Sequence, residues 1–303
     1  MVQHIAEVWH VLLLERIDMT WEETIEYIRD KPDFTKLVEK AYFDKNLELN
    51  VSRFGESEEY LETLNIFKKY APQAKTILDV GCGNGVSTIN FALKGYTVTA
   101  LEPDSSSTVG AGAIKILKDR LKLNNIEIYE AFAEDINLPD NIFDIVYVRQ
   151  AMHHANNLNA FVSECVRVLK PRGLLLTVRD HVITSESDKE LFFQKHLLHK
   201  FYGGENAFKA LEYRKALSNA GAIVKIELKH YDSVLNYFPE TKEQINSLRI
   251  KNLRKQKSKF KKKLGLFSEI PFSWELYKII SGFKPLDEKY IPGRMHSYIT
   301  LKR

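Results

Sequence analysis

A chain of 303 residues with 44% hydrophobic and 28% charged residues describes a globular protein with ample material for a core, not a disordered one. Its net charge of +4 is mild, so where the charges fall matters more than their sum. The 2 cysteines, Cys82 and Cys165, exclude a disulfide framework and set a reducing cytoplasm as the expected compartment.

Residues 1–70 are charged and helical in pattern and form an expected N-terminal cap on the unit at 71–303. The patch Val8–Leu14 is short, broken by His10 and followed by Glu15 and Arg16, so it reads as one face of a helix, not a signal peptide or span. Thr20-Trp-Glu-Glu23 has the form of a capping box. Asn50 and Arg53 lie within reach of a site, with packing as the first reading.

Thr76-Ile-Leu-Asp-Val-Gly-Cys-Gly-Asn-Gly85 is an apolar strand that ends in Asp79 and a loop with glycine at every second position, followed by a helix from Val86. That is the first βα unit of a Rossmann-like sheet, with a nucleotide-type ligand at its crest. The carboxylate of Asp79 repels pyrophosphate but welcomes a cation. The next strand ends in Glu102-Pro103-Asp104, about 20 residues on, where an acid accepts both hydroxyls of a ribose. Further on come Ala131-Phe-Ala-Glu134-Asp135, then Phe143-Asp144, then Val168-Leu-Lys-Pro171-Arg-Gly173.

Together these runs resemble the motifs of the class I S-adenosylmethionine-dependent methyltransferases, of the type 11 or ubiquinone-biosynthesis-like kind. Dinucleotide enzymes lack the set, and Val86 stands where their third glycine would be. The resemblance implies S-adenosylmethionine as cofactor. Asp79, Gly81, Cys82, Gly83 and Gly85 would sit beside its methionine part, and Glu102 and Pro103 at the ribose. It also places Asp135 at the adenine amino group, with Glu134 as the alternative, and Arg149 and Gln150 at the crest of the fourth strand.

Strands are expected near 76–81, 97–102, 126–130, 143–149 and 173–179, with helices near 86–94, 108–122 and 157–169. This alternation requires a mostly parallel α/β sheet. A helix at 209–220, a strand at 222–229 and a last strand at 297–302 complete the family's seven-stranded order, 3-2-1-4-5-7-6. Insertions fall at 181–208 and 231–293, the second roughly 65 residues long and too long to be structureless. They look like those of uncharacterised bacterial methyltransferases associated with surface-glycan or small-metabolite modification.

Methylating an alcohol requires a base, and the mouth of the sheet offers several. Met152-His153-His154 follows the fourth strand and resembles the Leu-His-His of ubiquinone-type methyltransferases. Arg179-Asp180-His181 follows the fifth. His181 is the first candidate base and His154 the second, with Asp180 as an orienting acid. His199 and Tyr202, in His196-Leu-Leu-His-Lys-Phe-Tyr-Gly-Gly-Glu205, are candidates for the acceptor pocket. His196 and His199 share a helical face in this reading but lack a third ligand, so no metal is expected.

The expected reaction is methylation of an oxygen on a sugar, glycan or other small polar acceptor. The rivals are C-methylation of a quinone-like ring and a non-catalytic scaffold subunit. Lys251, Arg254, Lys255, Lys257, Lys259, Lys261, Lys262 and Lys263, with no acid among them, make 251–263 a candidate surface for an anionic membrane at the inner face. Nucleic acid is disfavoured, because no RNA-binding module accompanies the patch.

Overall fold

The computed structural model describes residues 19–303, so the patch Val8–Leu14 and the start of the cap lie outside the described residues. Its centre is a mixed sheet built from β1 (Thr76–Val80), β2 (Thr97–Leu101), β3 (Ile126–Tyr129), β4 (Phe143–Arg149), β5 (Leu169–Ile183), a two-residue β6 (Phe208–Lys209), β7 (Ala222–Leu228) and β8 (Arg294–Lys302). The order is β3-β2-β1-β4-β5-β8-β7, with β6 pairing to β5 off this path. Leaving β6 aside, this is the expected order. Strands β1 to β5 are parallel, and β8 runs antiparallel to both β5 and β7.

Alternate residues of each strand feed two cores, as the two-residue period of a strand requires. Ile77, Ile145, Tyr147, Leu174 and Leu176 enter one. Leu78, Val146, Val148 and Leu175 enter the other. On the first face lie α3 (Leu47–Gly55), α4 (Glu58–Tyr70), α5 (Val86–Leu93) and α6 (Ala111–Arg120). On the second lie α7 (Leu158–Val168) and α10 (Ala210–Asn219). Helix α6 begins later than its sequence suggests because Gly110 is extended and Ala111 N–H is drawn to Asp104 O at 2.7 Å.

The cap begins with α1 (Trp21–Arg29), closed by the expected capping box between Thr20 and Glu23, and continues through α2 (Thr35–Lys40). The first insertion supplies α8 (Glu186–Lys195) and α9 (His199–Tyr202). Ile25 and Ile28 of α1 form one buried cluster with Leu198 and Phe201, so cap and insertion pack as a single roof. Trp21 lies 5.3 Å from Tyr202 and Tyr27 5.2 Å from Phe201, ring centre to ring centre. Asn50 and Arg53 serve the cap itself: Asn50 pairs with the backbone of Asp44, and Arg53 pairs with its carboxylate at 3.3 Å.

One boundary that shapes the site differs from expectation. Strand β5 runs on to Ile183, so His181 sits in the sheet and the insertion starts after it. The extension is held by β8 on one side and β6 on the other. The second insertion is helical, as expected, with α11 (Val234–Tyr237), α12 (Lys242–Leu264) and α13 (Ser273–Ser281). None of the described helices is long and apolar enough to cross a membrane.

Candidate active site

A cavity of ≈ 820 Å³ opens at the carboxyl ends of β1, β2, β4 and β5, beneath the roof. This is where open α/β sheets bind ligands. Its first half is built by the glycine loop. Gly81 and Gly85 have φ of +62° and +79°, which L side chains rarely adopt. A Cβ on Gly81 would stand 2.5 Å from Ala151 Cβ, and one on Gly85 2.6 Å from Ile114 Cγ1. Gly83 N–H donates to Glu102 Oε2 at 2.7 Å, tying the loop to the end of β2.

Asp79 is wholly buried, behind the cavity lining formed by Gly81 and Ser87 and not part of it. Its Oδ2 accepts from Ser87 Oγ and Thr88 Oγ1, each at 2.7 Å, while its Oδ1 has no partner. Burial pushes its pKa up to about 6. Glu102 lines the cavity, and burial pushes it up to about 7 despite donors from Asp104 and Gly83. Cys82, Pro103, Glu134 and Gln150 line the same half, alongside Phe132 and Ala133. An orphaned buried oxygen suits an ammonium, and an acceptor-only carboxylate suits a diol. The residues present therefore fit S-adenosylmethionine.

Asp135 does not join them. Its side chain is exposed outside the cavity, while Glu134 on the lining accepts Asn156 N–H at 2.9 Å. Arg149 reaches the cavity but is committed elsewhere: Nε and Nη2 grip Glu59 of α4 at 2.7 and 3.1 Å. Arg179 lies 3.7 Å from the same carboxylate and donates to Phe238 O at 2.7 Å.

The second half is lined by His153, His154, His181, His196, Tyr202 and Glu205. A bulge in the β5–β8 ladder between Thr177 and Asp180, where Arg179 has φ +62°, re-aims the end of β5. Asp180 is fully buried and orients His153, not His181. Its Oδ1 lies 3.1 Å from both the backbone N and the Nδ1 of that residue. His153 Nε2 faces Glu205 Oε2 at 3.5 Å. Burial opposes its charge, but Asp180 and Glu205 outweigh this and raise it to about 9. The two carboxylates therefore favour its charged form.

His181 is 4% exposed, and its Nδ1 lies 2.7 Å from Gly293 O, which fixes the proton on Nδ1 and leaves a lone pair on Nε2. Burial holds its pKa well below the ordinary value. His154 Nδ1 lies 3.0 Å from Gly204 O in the same manner, and this ring is the more exposed of the two. Its crowded setting and the neighbouring His153 charge lower its pKa to about 4.

The expected helical pairing of His196 with His199 does not form. Helix α8 ends at Lys195 and His196 is extended, so the two rings diverge. His199 stacks on Phe193 with centroids 4.2 Å apart and does not line the cavity. His196 turns inward instead. With that change the chain gathers ligand sets which local spacing does not show: His153, His154 and Glu205, and His181, His196 and Glu205, have ligand atoms within 4.8 Å of one another. The His-His pair was a signal for this cluster; Glu59, on an ordinary-looking charged helix, gave none.

Residues 78–177 match the model of a family described as a methyltransferase domain. A ubiquinone biosynthesis O-methyltransferase of Rickettsia prowazekii is 33% identical over 100 residues, 33% of this chain and 38% of the relative. A Mycobacterium tuberculosis protein named "Probable S-adenosylmethionine-dependent methyltransferase" is 28% identical over 121 residues, 39% of this chain and 41% of the relative. The chain thus matches less than half the length of these curated relatives. Among solved structures, geranyl diphosphate C-methyltransferase from Streptomyces coelicolor, in complex with Mg2+, geranyl diphosphate and S-adenosyl-L-homocysteine, aligns with a TM-score of 0.54 at 14% identity. That alignment covers 93% of this chain and 97% of that one, a likeness of fold. Motif, sheet order and relatives agree: residues 78–177 match a methyltransferase domain, set in a sheet with the strand order of the class I fold.

Proposed function

We propose that the protein methylates an oxygen of a sugar, glycan or other small polar acceptor bound among the histidines. The observation that carries this reading is one cavity with two unlike halves, a glycine-rich crest and a wall of imidazoles and a carboxylate. Oxygen as acceptor is further supported by the ubiquinone O-methyltransferases among the relatives.

When bound, S-adenosylmethionine supplies an electrophilic methyl group. The chain's own part is to align and deprotonate the acceptor. Asp79 Oδ1 holds the cofactor's ammonium, Glu102 its ribose hydroxyls and Glu134 the adenine edge. His154 takes the acceptor's proton on Nε2, since its Nδ1 proton is held by Gly204 O and its ring is open to the cavity. His181, the other sequence candidate, stands on the inner wall behind it. Tyr202, braced by Trp21, closes the acceptor side.

The second insertion supports a site of action at an anionic membrane surface facing the cytoplasm. Helix α12 carries the lysine run, and its Phe260 is packed by Trp274 and Tyr277 of α13. The opposite stripe of α13 and the residue before it are open: Leu276, Ile279 and Ile280 are 57%, 78% and 77% exposed, and Phe272 is 80% exposed. Exposed apolar residues beside a cationic helix are what an interfacial segment presents. Cosedimentation with phosphatidylglycerol vesicles, but not phosphatidylcholine vesicles, is the expected result.

The reaction is tested by screening glycans, phenols and quinols with labelled cofactor. Transfer to a hydroxyl, lost in His154→Ala while S-adenosylhomocysteine still binds, is expected. Transfer to a ring carbon, or turnover unchanged in His154→Ala and His181→Ala alike, contradicts the reading.

A further inference from the structure

We infer that His181, His196 and Glu205 form a binding site for a divalent first-row transition ion on the acceptor wall of the cavity. Two imidazoles and one carboxylate, His181 from β5 and His196 and Glu205 from the loops of the first insertion, bring their ligand atoms within 4.8 Å of one another. That donor set suits zinc or iron(II) better than magnesium or calcium, which favour oxygen.

Hydrogen bonding within the protein leaves this triad incomplete. His196 Nδ1 is buried without a hydrogen-bond partner, 3.9 Å from Glu205 Oε1, and Glu205 Oε2, which makes no hydrogen bond, is faced only by the His153 ring at 3.5 Å. Buried polar atoms are rarely left so. An ion between them would satisfy them together.

The surroundings are those of a metal centre. His181 donates its Nδ1 proton to Gly293 O at 2.7 Å, the outer hydrogen bond that fixes a ligating ring. Glu205 is steadied from behind by His153 at 3.5 Å, itself held by Asp180 at 3.1 Å. All three ligands line the cavity, which leaves coordination positions open towards an acceptor. An ion there would act as a Lewis acid on the acceptor hydroxyl, making its proton easier for His154 to take. That role rests on the proposed O-methylation, whereas the binding of the ion does not.

The test uses the full chain, stripped with chelator and titrated with Zn2+ by calorimetry. Co2+ follows as a spectroscopic probe whose visible bands report nitrogen and carboxylate ligation. Uptake of one equivalent is expected, weakened at least tenfold in Glu205→Gln and in His196→Asn and unchanged in His199→Asn. Thermal unfolding and S-adenosylhomocysteine titration establish that each variant is folded. No stoichiometric uptake by the wild-type chain overturns the inference whatever the variants do, and so does uptake indifferent to Glu205→Gln. Zinc binding without methylation of any hydroxyl would leave the site standing and remove the proposed reaction. Methylation by a wild-type chain that takes up no ion would do the reverse.

Discussion

The two halves of the cavity are assembled by different means. The cofactor half is local: β1, its glycine loop and α5 are contiguous, and Glu102 closes the loop through one hydrogen bond to Gly83. The acceptor half is gathered from distant places. His154 follows β4, His181 follows a bulge in β5, and His196 and Glu205 come from the insertion. At the end of β4, Glu59 of the cap holds Arg149, which lines the same cavity. A local device survives many changes elsewhere in the chain, whereas an assembled one depends on every element that contributes to it.

The largest effect expected from breaking that comparison lies at this ion pair. Arg149→Met leaves the carboxylate of Glu59 buried with only Arg179 nearby and should cost ~3–5 kcal/mol in urea unfolding. Adding Glu59→Leu to it should recover much of the loss, because replacing both partners removes the stranded charge. Asp79→Ala acts on the other half. It removes a charged acceptor from the cofactor and should weaken S-adenosylhomocysteine binding by ~1.5–3 kcal/mol, at least tenfold, in calorimetry. His154→Ala should leave that affinity unchanged if the halves are independent.

Gly85→Ala is expected to destabilise by ~1–3 kcal/mol, because its Cβ meets Ile114 and its φ is +79°. The smallest effect is with pH. Asp79 and Glu102 have pKa values raised by burial to about 6 and about 7. Their charged forms, which an ammonium and a diol require, are present above those values and lost as pH falls through them. Homocysteine-compound affinity should therefore drop at least tenfold between pH 8 and pH 5, Asp79 alone accounting for about tenfold. Asp79→Asn should flatten the lower part of that profile.

The same contrast decides what could be read from the amino acids. The sheet order, the crest residues and the capping box follow from short-range patterns: glycine spacing, apolar runs and a threonine three before a glutamate. What failed to show was tertiary. Asp135 and Glu134 are neighbours, and only backbone direction decides that Glu134 faces the cavity. His199 and His196 share a helical spacing, but the break after Lys195 parts them. Asp180 serves His153 because the bulge at Arg179 turns it, and no spacing rule announces a bulge. Glu59 lies 90 residues from Arg149, and nothing near it marks it as buried.

The most direct test of the central claim is calorimetric titration of the wild-type chain with S-adenosylhomocysteine, with NAD as the comparison ligand. The account predicts one site for the homocysteine compound, weakened by Asp79→Ala, and no binding of NAD. Binding of NAD, or of neither ligand, would contradict it.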